Sequence, residues 1–200
     1  MNKPVLTFFS FFIAFLAFQS ALQAQISASG VQNRMNTWMK ATNEADWNTI
    51  MDMTYDKIFE QVPKEQMLGM FEQMKAMGME VSLNKFELKE MGDPIQDGGN
   101  TFLILTIASI ENIELTGTQF QTEQVVNMMK QQFNTTYGEE NVEYTKESNS
   151  FKLIGTKTLV AVAPDGSSAW KFMEYNKGNP MQMQMAKNLL PENVLKAVEE

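Results

Sequence analysis

The alternation of apolar and polar residues divides the chain into blocks of different period. Val31, Met35, Trp38 and Met39 share one helical face, which predicts a helix over 30–42. Thr42-Asn43 then offers an N-cap for a second helix, with Glu44 and Asp46 in its first turn. Trp47, Ile50, Met51, Thr54, Ile58 and Phe59 follow as one core-facing stripe. Asp46, Asp52 and Asp56 fall on the opposite, solvated face. Pro63 breaks that helix and starts a third, striped by Met67, Met70, Phe71, Met74 and Met77 and ended by Gly78. Helical spacing alone accounts for this methionine stripe as core.

From Met79 the period changes to two. Val81 and Leu83 alternate with polar residues, and Phe86 and Leu88 do so in the opposite phase, so a bulge is expected at Asn84-Lys85. Asp93-Pro94 and Asp97-Gly98-Gly99-Asn100 mark a turn. This turn lacks the alternating acidic ligands and distal Glu of a calcium loop. Phe102–Ile110 is almost continuously apolar, as in a strand buried on both faces. Either the strand continues to Gly117, long and bent, or the chain turns at Glu111-Asn112. Helical spacing returns over 118–137, with Val125, Met129, Phe133 and Tyr137 on one face before Gly138. Strands follow at Val142–Tyr144 and Phe151–Ala163. Pro164-Asp165-Gly166-Ser167 turns the chain toward a last strand carrying Trp170 and Phe172. One or two short helices around Pro191 close the sequence.

Grouped helices and hairpin-connected strands define an α+β class, with N-terminal helices on a bent, cone-like antiparallel sheet of about five strands. The Trp38/Trp47 helices, the long strand 101–117 and the closing hairpin 159–163/170–175 resemble the nuclear transport factor 2-like (cystatin-like) superfamily. Pro63-Lys64-Glu65-Gln66-Met67 and Leu190-Pro191-Glu192-Asn193-Val194-Leu195 are similar to small exported Bacteroidetes proteins without an assigned activity. The resemblance implies a pocket between the helices and the concave sheet, open at the cone mouth. Trp47, Tyr55, Phe102 and Trp170 are the candidate ligand-binding residues. The expected lining is Met and Phe without convergent polar groups, suited to a small apolar ligand or a partner protein.

The N-terminus is an address. Lys3, an apolar run from Val5 to Phe18 holding six Phe, and small residues up to Ala24 make residues 1–24 a signal peptide. A single domain over 25–200 follows. The run is shorter than the roughly 20 residues of a spanning helix, so no stable membrane insertion is expected after signal removal. The expected location is exported, periplasmic or extracellular, in a bacterium.

Composition then narrows the chemistry. The 200 residues hold no His and no Cys. Disulfides, thiolate nucleophiles, imidazole ligands and Ser-His-Asp machinery are excluded. No cofactor is expected. Removing residues 1–24 takes away one Lys and no acid, which moves the net charge from −8 to −9. That balance argues against nucleic acid, whose phosphates need clustered Lys and Arg. A non-catalytic binding domain is therefore the leading reading. An enzyme resting on a carboxylate and a Tyr is the alternative, and it requires a buried Asp or Glu within reach of a Tyr hydroxyl inside a pocket. A third reading comes from the 17 Met. Met181, Met183 and Met185 alternate with Gln, and soft thioethers select Cu(I) or Ag(I). As a strand the segment would put all three on one face; as a helix it would separate Met183 from the others.

Overall fold

A computed structural model describes residues 27–199. The expected signal peptide lies outside the described residues. The fold is α+β. Among the described residues four helices come first: α1 (Ala28–Asn43), α2 (Trp47–Asp52), α3 (Ile58–Gln61) and α4 (Lys64–Ala76). Strands β1 (Met79–Met91), β2 (Ile95–Asp97) and β3 (Asn100–Leu115) follow. Helix α5 (Glu123–Tyr137) leads into β4 (Val142–Thr145), β5 (Ser150–Pro164) and β6 (Lys171–Tyr175). Helices α6 (Pro180–Leu189) and α7 (Glu192–Glu199) end the chain. No helix among the described residues is long and apolar enough to cross a membrane.

All six strands form one antiparallel sheet. Its centre is β3 against β5, paired without a break from Asn100↔Pro164 to Glu114↔Ser150. Strands β1 and β2 share the far edge of β3, and β4 and β6 share the far edge of β5. The sheet is thus four strands wide, with six segments. Glu111 pairs with Leu83 on one side and Leu153 on the other, so β3 runs straight through the alternative turn position. The β2–β3 connection turns on Gly98 and Gly99, both at positive φ (56° and 76°), the conformation a two-residue hairpin demands.

Register assigns the faces, because residues paired across strands project to the same side. Leu83, Phe86 and Leu88 oppose Glu111, Ser109 and Ile107. Bulges between Leu83/Lys85 and Leu88/Glu90 skip a residue each time. They keep Met79, Val81, Leu83, Phe86, Leu88 and Met91 on one side, and each bends the strand. The bulge at Asn84-Lys85 agrees with the phase flip in the sequence.

This inner face is covered in two places. Val31 and Met35 of α1 pack with Leu105, Ile107, Leu159 and Phe172. Val125, Met129, Phe133 and Tyr137 of α5 pack with Ile113, Leu115, Phe151 and Leu153. Among the described residues the outer face is covered only at one end, where α6 and α7 meet Phe102, Val160, Val162 and Tyr175. The doubly buried stretch of β3 is accordingly Thr101–Leu103, shorter than its apolar run, and burial alternates beyond it.

Helix α1 is also tied to the exposed edge of β1. Asn43 Nδ2 donates to Leu83 O (3.0 Å) while Leu83 N–H donates to Asn43 Oδ1 (2.7 Å). Gln32 repeats the device, donating to Phe86 O (3.1 Å) and accepting from Leu88 N–H (2.7 Å). Eleven residues are about three helical turns, so the two amides lie on one face of α1. They satisfy backbone groups that an edge strand leaves unpaired.

Two expectations are corrected. The stripe from Trp47 to Phe59 is not one helix. Asp46 caps α2 through Thr49 N–H (3.2 Å), and residues 53–55 leave the helix to pair with β6. Phe172 N–H donates to Met53 O (2.8 Å) and Tyr55 N–H to Phe172 O (2.9 Å). Two hydrogen bonds to a strand edge outweigh helix continuation here. Asp52 and Asp56 are exposed as expected, but each holds a lysine, Lys64 at 2.7 Å and Lys171 at 2.5 Å. Second, the methionine stripe of α4 is not core. No residue of α4 is fully buried, and Met70 and Met77 are exposed. One side of the helix is covered, with Met67, Leu68 and Phe71 half-buried against Ala41, Ile50 and Met51 and Met67 also meeting the outer-face core, while the rest of its surface meets solvent.

Candidate functional site

Between the α1 cover and the α5 cover the inner face is left open. A cleft of about 490 Å³ occupies this gap. One wall comes from α1 and α2, through Trp38, Asn43, Trp47 and Ile50. A second comes from α4, through Phe71 and Met74, and from Met79, Val81, Leu83 and Phe86 of β1. Aromatic packing holds the walls in shape. Trp47 stacks on Phe71 with ring centroids 4.6 Å apart and planes 7° from parallel. Trp38 meets the edge of Phe86 at 5.9 Å and tilts onto Phe172 at 5.3 Å.

The floor is charged. Glu111 of β3, Lys157 of β5 and Glu174 of β6 reach it from three strands. Lys157 Nζ lies 2.6 Å from Glu111 Oε1 and 3.3 Å from Glu174 Oε2. The shorter contact is a charge-assisted pairing that occupies Glu111 Oε1. Tyr137 donates from behind, its hydroxyl 3.4 Å from Glu111 Oε2. Gly155 lets the Tyr137 ring come this close, since a Cβ there would sit 3.1 Å from Cδ1. Ser109, one pairing step along the same face, is buried and its hydroxyl has no partner among the described residues.

Glu111 is 8 % exposed. Burial by itself would push the Lys157 ammonium down, but the charges of Glu174 and Glu111 outweigh it and hold the group above its ordinary value. Burial, with the nearby carboxylates, raises the Tyr137 phenol and keeps it a donor. A buried ion pair is weak support for stability, and a well-packed apolar replacement often serves as well. Charged groups gathered on the floor of a cleft are instead the pattern of a functional site.

Of the four expected ligand-binding residues, only Trp47 lines this cleft. Trp170 and Phe102 are each 1 % exposed, and Tyr55 is buried. Trp170 packs in the α1 core, while Tyr55 and Phe102 meet edge to face under the C-terminal helices. Their periodic spacing marks core positions. The floor was missed. Glu111 and Lys157 interrupt apolar strands, which was the available signal, but only strand pairing shows that they meet. The lining also departs from the expected Met and Phe, because polar groups converge on it.

Met181, Met183 and Met185 lie in α6, capped by Asn179 through Met181 and Gln182 N–H. In a helix residue 183 sits about 200° round from residue 181, so the three do not share a face. Met181 is exposed, and Met183 and Met185 pack on the outer-face core. The strand geometry that would have converged three thioethers does not form.

No protein-family model and no curated protein matches the chain.

Proposed function

We propose that this domain binds a small, largely apolar molecule in the cleft between α1, α4 and the inner face of the sheet. The observation that carries the reading is the cleft itself. Its volume is that of a small-molecule site, and it combines an aromatic wall with a few convergent polar groups. The same placement of a pocket is what the resemblance to the nuclear transport factor 2-like superfamily implies. The address at residues 1–24 and the absence of Cys support action outside the cytoplasm of a bacterium.

Nile red, a neutral dye, tests the reading. Its emission should rise on binding, and Val81→Trp, which adds bulk to the cleft wall, should abolish the rise without lowering thermal stability. An unchanged signal in that variant places the dye elsewhere and overturns the proposal.

One observation favours a second reading. Glu111 is buried, lines the cleft and accepts from Tyr137, the carboxylate–phenol pair that the enzyme alternative requires. The binding reading ranks above it because the carboxylate already faces an ammonium at 2.6 Å, the arrangement of a fixed charge. Deuterium exchange into the α positions of 4-phenylbutan-2-one separates the two. Exchange catalysed by the protein and lost in Glu111→Gln supports an enzyme; no acceleration over buffer rejects it for this chemistry.

A further inference from the structure

The charge distribution in the cleft says more about what it accepts. Four glutamates border it, Glu44, Glu80, Glu111 and Glu174, against two lysines, Lys75 and Lys157, but Glu44 pairs with Lys40 and Glu80 projects to the other face of β1. On the floor the imbalance is sharper, because one lysine is shared by two glutamates. Lys157 is engaged by both carboxylates, and neither of them has a cation to itself. An ionised carboxylate accepts about four hydrogen bonds, and Glu111 meets two donor groups, Lys157 and Tyr137. An anionic ligand would have to take Lys157 from both partners. A ligand bringing N–H donors and positive charge would instead complete the floor. The walls add the aromatic residues Trp38, Trp47 and Phe71, a class that attracts cations as well as apolar surface, with Trp47 and Phe71 spending one face on each other.

Building on the binding reading above, we infer that the cleft selects an organic cation, an amine or ammonium head on an apolar body, with the head on Glu111 and Glu174. The test uses three probes of one shape at pH 7: 4-phenylbutylamine, 4-phenylbutan-1-ol and 4-phenylbutanoate. Titration of the purified protein is followed by calorimetry and by tryptophan fluorescence. The amine should bind about tenfold more tightly than the alcohol, and the carboxylate more weakly than either. Glu174→Gln should bring the amine close to the alcohol, and a thermal denaturation midpoint measured beside the titration shows that the variant folds. Glu111→Gln should act in the same direction. Equal binding of amine and alcohol, or a preference for the carboxylate, overturns the cation assignment and leaves the cleft as an apolar site. Failure of all three probes to bind overturns the assignment together with the binding reading beneath it.

Discussion

Lys157 and Glu111 stand four register positions apart on adjacent strands, and their side chains reach toward each other over Ser109 and Gly155, Nζ 2.6 Å from Oε1, at the point where the inner face of the sheet loses its helical cover. Neither residue is where strand patterning alone would place a charge. Their meeting makes the middle of the sheet a polar floor between two apolar covers.

Removing only the cation should therefore be costly. Lys157→Met leaves Glu111 buried and uncompensated, with Glu174 nearby and more exposed. The expected loss is about 3 kcal/mol in urea denaturation. Adding Glu111→Leu should recover much of it, because an apolar pair can replace a buried ionic one. A double variant as unstable as the single would show that the pair is not the source.

Stability should also fall at high pH. The Lys157 proton is held in the folded state above the ordinary value of 10.5 at which the unfolded chain releases it. The contribution of the pair is complete below that value and is lost as pH rises toward the folded one. Tyr137, raised above its ordinary 10.0, acts in the same direction, since the folded state keeps a proton the unfolded chain gives up. Unfolding free energy measured from pH 8 to 12 should decline beyond about pH 10, and less steeply in Lys157→Met/Tyr137→Phe.

The amide links from α1 to the β1 edge make a separate forecast. Asn43→Ala removes the partner of both Leu83 backbone groups. It should cost about 2 kcal/mol, and Asn43→Asp, which loses the donor and keeps the acceptor, about half as much. Hydrogen exchange at Leu83 N–H gives a local check, with faster exchange expected in the Ala variant.

The stacked wall predicts coupling. Trp47 and Phe71 lie 4.6 Å apart in near-parallel planes. A double-mutant cycle of Trp47→Ala and Phe71→Ala should return an interaction of about 1 kcal/mol. Additive single effects would show that the rings only share a location.

Two glycines should respond in opposite ways to alanine. Gly69 lies in α4 with nothing within 4 Å of an added Cβ, so Gly69→Ala should stabilise by about 0.5–1 kcal/mol. Gly78 ends the same segment at φ 75°, and its Cβ would sit 2.4 Å from the Gly117 backbone nitrogen. Gly78→Ala should lower the melting temperature sharply.

Much of the fold was legible along the chain. The α1 stripe, the glycine stop at Gly78, the bulge beside Asn84 and the turn at Gly98-Gly99 are local matters of period and backbone freedom, and the structure shows each. The break after Asp52 was not legible. Trp47–Phe59 keeps helical spacing, and only the edge of β6, more than 110 residues away, draws Thr54 out of the helix.

By itself, then, the sequence determined the α+β class, the succession of helical and strand blocks and the chemistry that a chain without His or Cys cannot perform. Each follows from composition or from periods of two and 3.6 residues. Which buried residue is core and which belongs to a site was decided by tertiary structure. Trp170 and Trp47 look alike as spaced aromatics, yet one is sealed by α1 and the other walls a cleft. Glu111, Lys157 and Glu174 belong to three strands, and pairing register alone puts them on one face. Their charges meet there because the helices that cover the sheet leave its centre uncovered.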